Sequence, residues 1–282
     1  MAKNNSDWAV GSDKYARRKK PVSGGRSGPG RPIAQLQTEE TGITWDSSAV
    51  NWSLLEKSTI GRVRHRFRSA FPEYIWDAAA LEGNPYTLPE VQTLLEGITV
   101  TGHRIADQDQ ILALNEGFNL VDELVGQKRF RLDTSTSNLI HGKVAVHEAI
   151  ESGHFRGEGL VGCGGLVSIG ELGQYRASNP GEDGVTLKHG VDSLVAYLLE
   201  DVEDPREQAI AYFCAATRRQ FYFAGNKRTA KLMMSGHLMR HGYDAISISA
   251  RRQLEFDQLL APMFDDGEAT RMMQFVIDSR PE

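Results

Sequence analysis

The stretch RRQFYFAGNKRTAK, Arg218–Lys231, joins two helical patterns through an aromatic turn and sets Gly-Asn-Lys-Arg at the opening of the second. A helix start presents unpaired N–H groups and the positive end of its dipole, which suits phosphate oxygens. Gly225 allows close backbone approach or a positive φ, Asn226 can bond locally or to a ligand, and Lys227 and Arg228 add positive charge. The same residues also read as a plain helix-turn-helix with solvated cations, because the spacing of a Walker loop is missing. No side chain in the stretch accepts a proton at neutral pH.

Helical patterns extend on both sides of the loop. Before it, DPREQAIAYFCAATRR opens with Asp204 as cap, Pro205 in first position and Glu207 completing a capping box. After it, NKRTAKLMMSGHLMRHGY is closed by Gly242, and LEFDQLLAPMF and EATRMMQFVID add two more helices. Upstream, VDSLVAYLLED places Val191, Leu194, Val195, Leu198 and Leu199 on one face, and QDQILALNEGFNLVDELV does so with Ile111, Leu114, Phe118, Val121 and Leu124. FPEYIWDAAALEG reads as a helix stopped by Gly83 and Asn84-Pro85, with Glu82 on its last turn; Thr87 and Glu90 box the next helix. SNLIHGKVAVHEAIESG predicts a further helix, and the Gly-rich run after it predicts loops and a small hairpin. The class is therefore all-α.

The 282 residues, 40% apolar and 24% charged, suit a globular chain of one large domain with an appendage. No run reaches the ~18 apolar residues of a membrane span, and the N-terminus lacks the apolar stretch of a signal peptide, so a cytoplasmic protein is expected. Cys163 and Cys214 have no partner at metal or redox spacing and read as buried free thiols. Residues 1–32 hold eight Lys/Arg against two Asp, while the rest holds 24 against 35. The acidic body is a poor match for a phosphate backbone, which leaves weak nucleic-acid contact to the basic arm. Three segments are expected: a flexible basic arm over 1–48, a helical region over 49–130, and a core over 131–282.

The loop resembles the signature of the Fic family, H-x-F-x-[D/E]-G-N-[G/K]-R-x-x-R, most of whose studied members transfer AMP from ATP to a hydroxyl on a target protein. LEGNPYTLPEVQTLLEGITVTG is similar to the inhibitory helix, here about 72–83, and following helix of Fic proteins that carry their inhibitor in cis. AGNKRTAKLMMSGHLMRHGYDAISI resembles the core helix and its exit, GQYRAS the target-positioning flap, and MFDDGEATRMMQFVID the closing helices. The resemblance spans roughly residues 71–278. It implies a Fic-type helical bundle with a β-hairpin flap, a nucleotide ligand (ATP or another), and a protein target docking around Gly173–Ser178.

The departures fall where the family does its chemistry. Gln220 stands at the position of the His that accepts the hydroxyl proton, Tyr222 at the Phe, Ala224 at the acid that holds Mg²⁺, and Lys231 at the last Arg. A Gln amide has no pKa near neutrality, and Ala224 offers no oxygen to a hard cation, so the sequence supplies neither a catalytic residue nor a metal ligand there. Gly225, Asn226, Lys227, Arg228 and Lys231 remain as candidate phosphate ligands. By resemblance Glu82 is the inhibitory carboxylate and would pair with Lys231, without the fork of an arginine and with Ala78 where a Ser/Thr is usual. His141, His147 and His154 precede the loop, and none is assigned the missing role. The expected function is a Fic-fold protein impaired in AMP transfer that binds nucleotide or phosphate; the alternative is an active nucleotidyl- or phosphotransferase with altered chemistry.

Overall fold

Trp45 belongs to a stretch that composition assigns to the flexible arm, yet it is buried. The computed structural model describes residues 33–161, 166–168 and 174–281; the basic arm through residue 32 and Cys163 lie outside them. Helix α1 (Ile33–Thr41) leads into Ile43 and Trp45, 1% and 7% exposed. Thr44 exchanges backbone hydrogen bonds with Gly267 and Ala269, and the Trp45 indole donates to Glu207 at 2.6 Å. An arm reaching residue 48 is therefore corrected: residues 33–48 are held by partners more than 150 positions away, which local composition cannot reveal. The same bond explains why Glu207 does not close a capping box. Its carboxylate accepts from Trp45 and Ser47, and Asp204 alone caps, through the Arg206 N–H.

Helices α2 (Ile60–Ser69), α3 (Phe71–Ala80), α4 (Leu88–Leu95), α5 (Ile105–Gly126) and α6 (Thr134–Val144) follow. Gly83 takes left-handed backbone at φ 82°, with Gly83 N–H bonded to Ala80 and Asn84 N–H to Ala79, so the chain turns sharply after α3 and Glu82 sits on that turn. Glu90 closes its box by accepting from the Thr87 N–H and hydroxyl. All five apolar residues expected on one face of α5 are buried. Strands β1 (Leu166–Ser168) and β2 (Gln174–Arg176) pair antiparallel with Val167 opposite Tyr175, giving the small hairpin.

Helix α7 (Val185–Glu200) buries four of its five predicted apolar residues. Leu199 is 43% exposed because the ~100° step per residue turns it away from Leu198. Helices α8 (Pro205–Arg219) and α9 (Asn226–Arg240) form the centre, and α10 (Gln253–Asp265) and α11 (Thr270–Asp278) close the bundle. Apart from Lys227 and Arg240, every residue of α9 is buried, so this helix is enclosed on nearly all sides. Such enclosure fixes its start, where the quoted loop lies. Cys214 is a buried free thiol whose pKa burial pushes up. No helix among the described residues is long and apolar enough to cross a membrane.

Candidate functional site at the opening of helix α9

The loop is shaped by two left-handed residues. Gln220 ends α8 at φ 52°, and Gly225 precedes α9 at φ 71°, where a Cβ would come within 2.8 Å of the Ala145 Cβ. Between them Asn226 acts as an internal strut: its Oδ1 accepts from the Tyr222 N–H, and its Nδ2 donates to the Tyr222 carbonyl and to Gln220 Oε1. Gln220 donates its remaining amide hydrogen bond to the Thr217 carbonyl at 2.6 Å, and the residue is 8% exposed. Both ends of that amide are thus committed within the protein. Arg156, which the sequence does not single out, donates from Nε to the Gln220 carbonyl and from Nη2 to the Ser178 carbonyl, two residues after β2.

Tyr222 uses the hydroxyl that a Phe would lack. It lies within hydrogen-bond distance of Ser137 and donates to Asn138 at 2.8 Å, tying the loop to α6. Its ring stacks on His141 at 3.7 Å and 6°. His141 is fully buried; its Nε2 lies 3.0 Å from the Ala224 carbonyl and its Nδ1 accepts from the Gly153 N–H. A carbonyl only accepts and a backbone N–H only donates, so these two partners fix the neutral imidazole with its proton on Nε2. Burial, with Arg228 and His154 nearby, pushes its pKa down to about 4 against the pull of the Ala224 bond.

Three cations follow, and each is met differently. Lys227 Nζ lies 3.2 Å from Glu82 Oε1, with both side chains partly exposed. The expected partner Lys231 is therefore replaced by Lys227. Lys231 sits one helical turn deeper, ~6 Å along α9, and an ammonium lacks the breadth of the guanidinium fork. It is 8% exposed, lies 5.3 Å from the centre of the Phe256 ring, and has its pKa lowered to about 8 by desolvation. Arg228, expected to face phosphate, is 3% exposed and makes a bidentate pair with Glu148, Nη2 to Oε2 at 2.8 Å. Against the desolvation of its burial, that pair holds the Glu148 carboxyl below its ordinary value. Glu148 escapes sequence reading because α6 ends at Val144, whereas the apolar pattern continues to residue 153.

No family model matches the chain. Curated proteins named protein adenylyltransferase Fic are similar to it: that of Drosophila willistoni is 25% identical over 220 residues, covering 77% of this chain and 41% of that protein. The Aedes aegypti protein is 26% identical over 216 residues, covering 75% and 40%. The structure of Fic-1 from C. elegans superposes with a TM-score of 0.62 at 17% identity over 78% of this chain and 67% of that one. A Fic domain-containing signaling protein from Bacteroides thetaiotaomicron gives 0.61 at 20% identity over 80% and 84%. The chain shares the Fic fold. It spans about two-fifths of the length of those curated relatives.

In this Fic-fold chain the structure brings Glu82, Lys227 and the first turn of α9 together at one opening, with Arg228 and Lys231 behind it. Gln220 and Ala224, two of the four positions that depart from the signature, flank the aromatic turn ahead of α9. Among the described residues no three His, Cys, Asp or Glu side chains cluster as a metal site.

The buried histidine gives a pH signature. His141 is neutral when folded, and its folded pKa of about 4 lies below the ordinary 6.5, so the unfolded chain binds more protons between these values. Its contribution is complete above pH 6.5 and is lost as pH falls towards 4, amounting to about 3 kcal/mol. Urea midpoints should fall over that window more steeply for the wild type than for His141→Gln; parallel profiles would refute the assignment.

Proposed function

We propose that this Fic-fold protein binds the phosphates of a nucleotide, ATP or a relative, at the opening of α9 and is impaired in AMP transfer, acting through binding or regulation. The observation carrying this reading is the Lys227–Glu82 pair: an internal carboxylate rests where a helix start and a lysine ammonium attract an anion. Thr229 N–H bonds back to the Gly225 carbonyl, and helix geometry leaves the N–H groups of 226–228 ahead of it for an incoming phosphate. A nucleotide phosphate fits this donor set once Glu82 yields. A Mg²⁺ ion does not: Ala224 carries no side-chain oxygen, and its carbonyl is engaged by His141. The Gln220 amide holds Thr217 and Asn226 and cannot take a proton from a hydroxyl. In this reading a target protein docks along residues 173–178, whose end at Ser178 is tied through Arg156 to Gln220.

Glu82→Gln should tighten binding of a fluorescent ATP analogue by about five- to tenfold, since a partly exposed ion pair contributes ~1 kcal/mol. Adding Lys227→Ala should abolish the gain. Unchanged affinity in Glu82→Gln would remove the carboxylate from the phosphate site.

A further inference from the structure

We infer that a second ligand site, for a small carboxylate with an apolar body, lies at the opposite end of α9, ~21 Å along the helix from the loop. A cavity of about 200 Å³ opens there, lined by Ile60 of α2, Val125 of α5, Lys128 and Phe130 beyond α5, and Arg240 in the last turn of α9. Three walls are apolar, and Val125 and Phe130 are 2% and 1% exposed, so the floor is fixed by packing. A dry cavity of ~150 Å³ holds a benzene ring, so this one has room for a ring with a carboxylate.

The polar wall is cationic. Arg240 has no carboxylate within ion-pair distance among the described residues; Asp133 acts on it only at longer range, and Arg131 repels it. Asp133 is itself engaged in capping α6 through the Thr136 N–H. The Arg131 guanidinium is bonded to the Lys128 and Phe130 carbonyls and adds positive charge close enough to act on Arg240. Lys128 is held at φ 58° after α5, a conformation that a lysine adopts at a cost and that glycine or asparagine adopts readily. Cations at helix C-termini also favour the dipole, but neither the cavity nor its apolar walls are needed for that role. A planar guanidinium beside an apolar pocket matches a bidentate carboxylate on a ring.

Benzoate is the probe. Titrated into the full chain at low salt, it should bind saturably and shift the methyl resonances of Ile60 and Val125. Acetate, which lacks the ring, and benzyl alcohol, which lacks the charge, should bind at least about tenfold more weakly. Arg240→Gln should lower benzoate affinity by about tenfold or more, and Lys128→Gly, which suits the left-handed backbone, should lower it severalfold with the fold retained. Absence of saturable binding to the folded wild type would overturn the proposal. So would benzoate affinity equal to wild type in both variants, which would leave the cations serving the helix ends alone.

Discussion

Restoring Gln220→His together with Ala224→Asp should raise AMP transfer from ATP by about 10² to 10⁴, the usual contribution of a general base, with dependence on Mg²⁺. The backbone accommodates both changes. Residue 220 sits at φ 52°, where histidine is enriched relative to most non-glycine residues. An aspartate at 224 would lie just before the positive end of α9, a favourable place for negative charge. The strut is weakened without being lost, because Asn226 keeps its bonds to the Tyr222 backbone when Gln220 is removed. Either single variant should stay near the wild-type level, since a base without a metal holder, or the reverse, lacks half of the family's chemistry. A folded double variant with no added transfer would mean that restoring these two positions is not enough for the chemistry, with Tyr222 and Lys231 also departing from the signature.

Glu148→Ala should lower the free energy of unfolding by about 3 kcal/mol, the low end for a buried pair that loses one partner, because Glu148 retains partial exposure. Arg228 would then be a 3% exposed guanidinium whose Nε already has no partner and whose remaining bond is to the Val144 carbonyl. Replacing both residues, as Arg228→Met with Glu148→Leu, should recover much of the loss, since well-packed apolar residues often match a buried ion pair. Urea denaturation of the three variants measures this; a Glu148→Ala loss under ~1 kcal/mol would show that water replaces the carboxylate.

Features written in short-range chemistry were legible. Gly83 after an apolar helix, the Thr87 and Glu90 box, and the period of α5 each reappear in the structure, because neighbours within a turn decide them. So did the loop at the opening of α9, whose Gly225 satisfies both a positive φ and a close approach by Ala145. Pairings across the fold were not legible. Glu207 and Trp45 stand 162 positions apart, and Arg228 and Glu148 stand 80 apart, so no local pattern joins them. The choice of Lys227 over Lys231 by Glu82 depends on depth along an enclosed helix, which residue type does not encode. His141 is not assigned a role by the sequence, because its two hydrogen-bond partners, and hence its fixed tautomer, come from the folded loop and the turn at Gly153.

The most direct measurement is incubation of the wild-type chain with ATP radiolabelled on the α-phosphate, with and without Mg²⁺, reading retained nucleotide and covalent label separately. Reversible retention that is weakened by Lys227→Ala, with no covalent label on this chain or on added proteins, is the expected result. Robust covalent labelling that survives Glu82→Ala and vanishes with Arg228→Ala would contradict it and establish an active transferase.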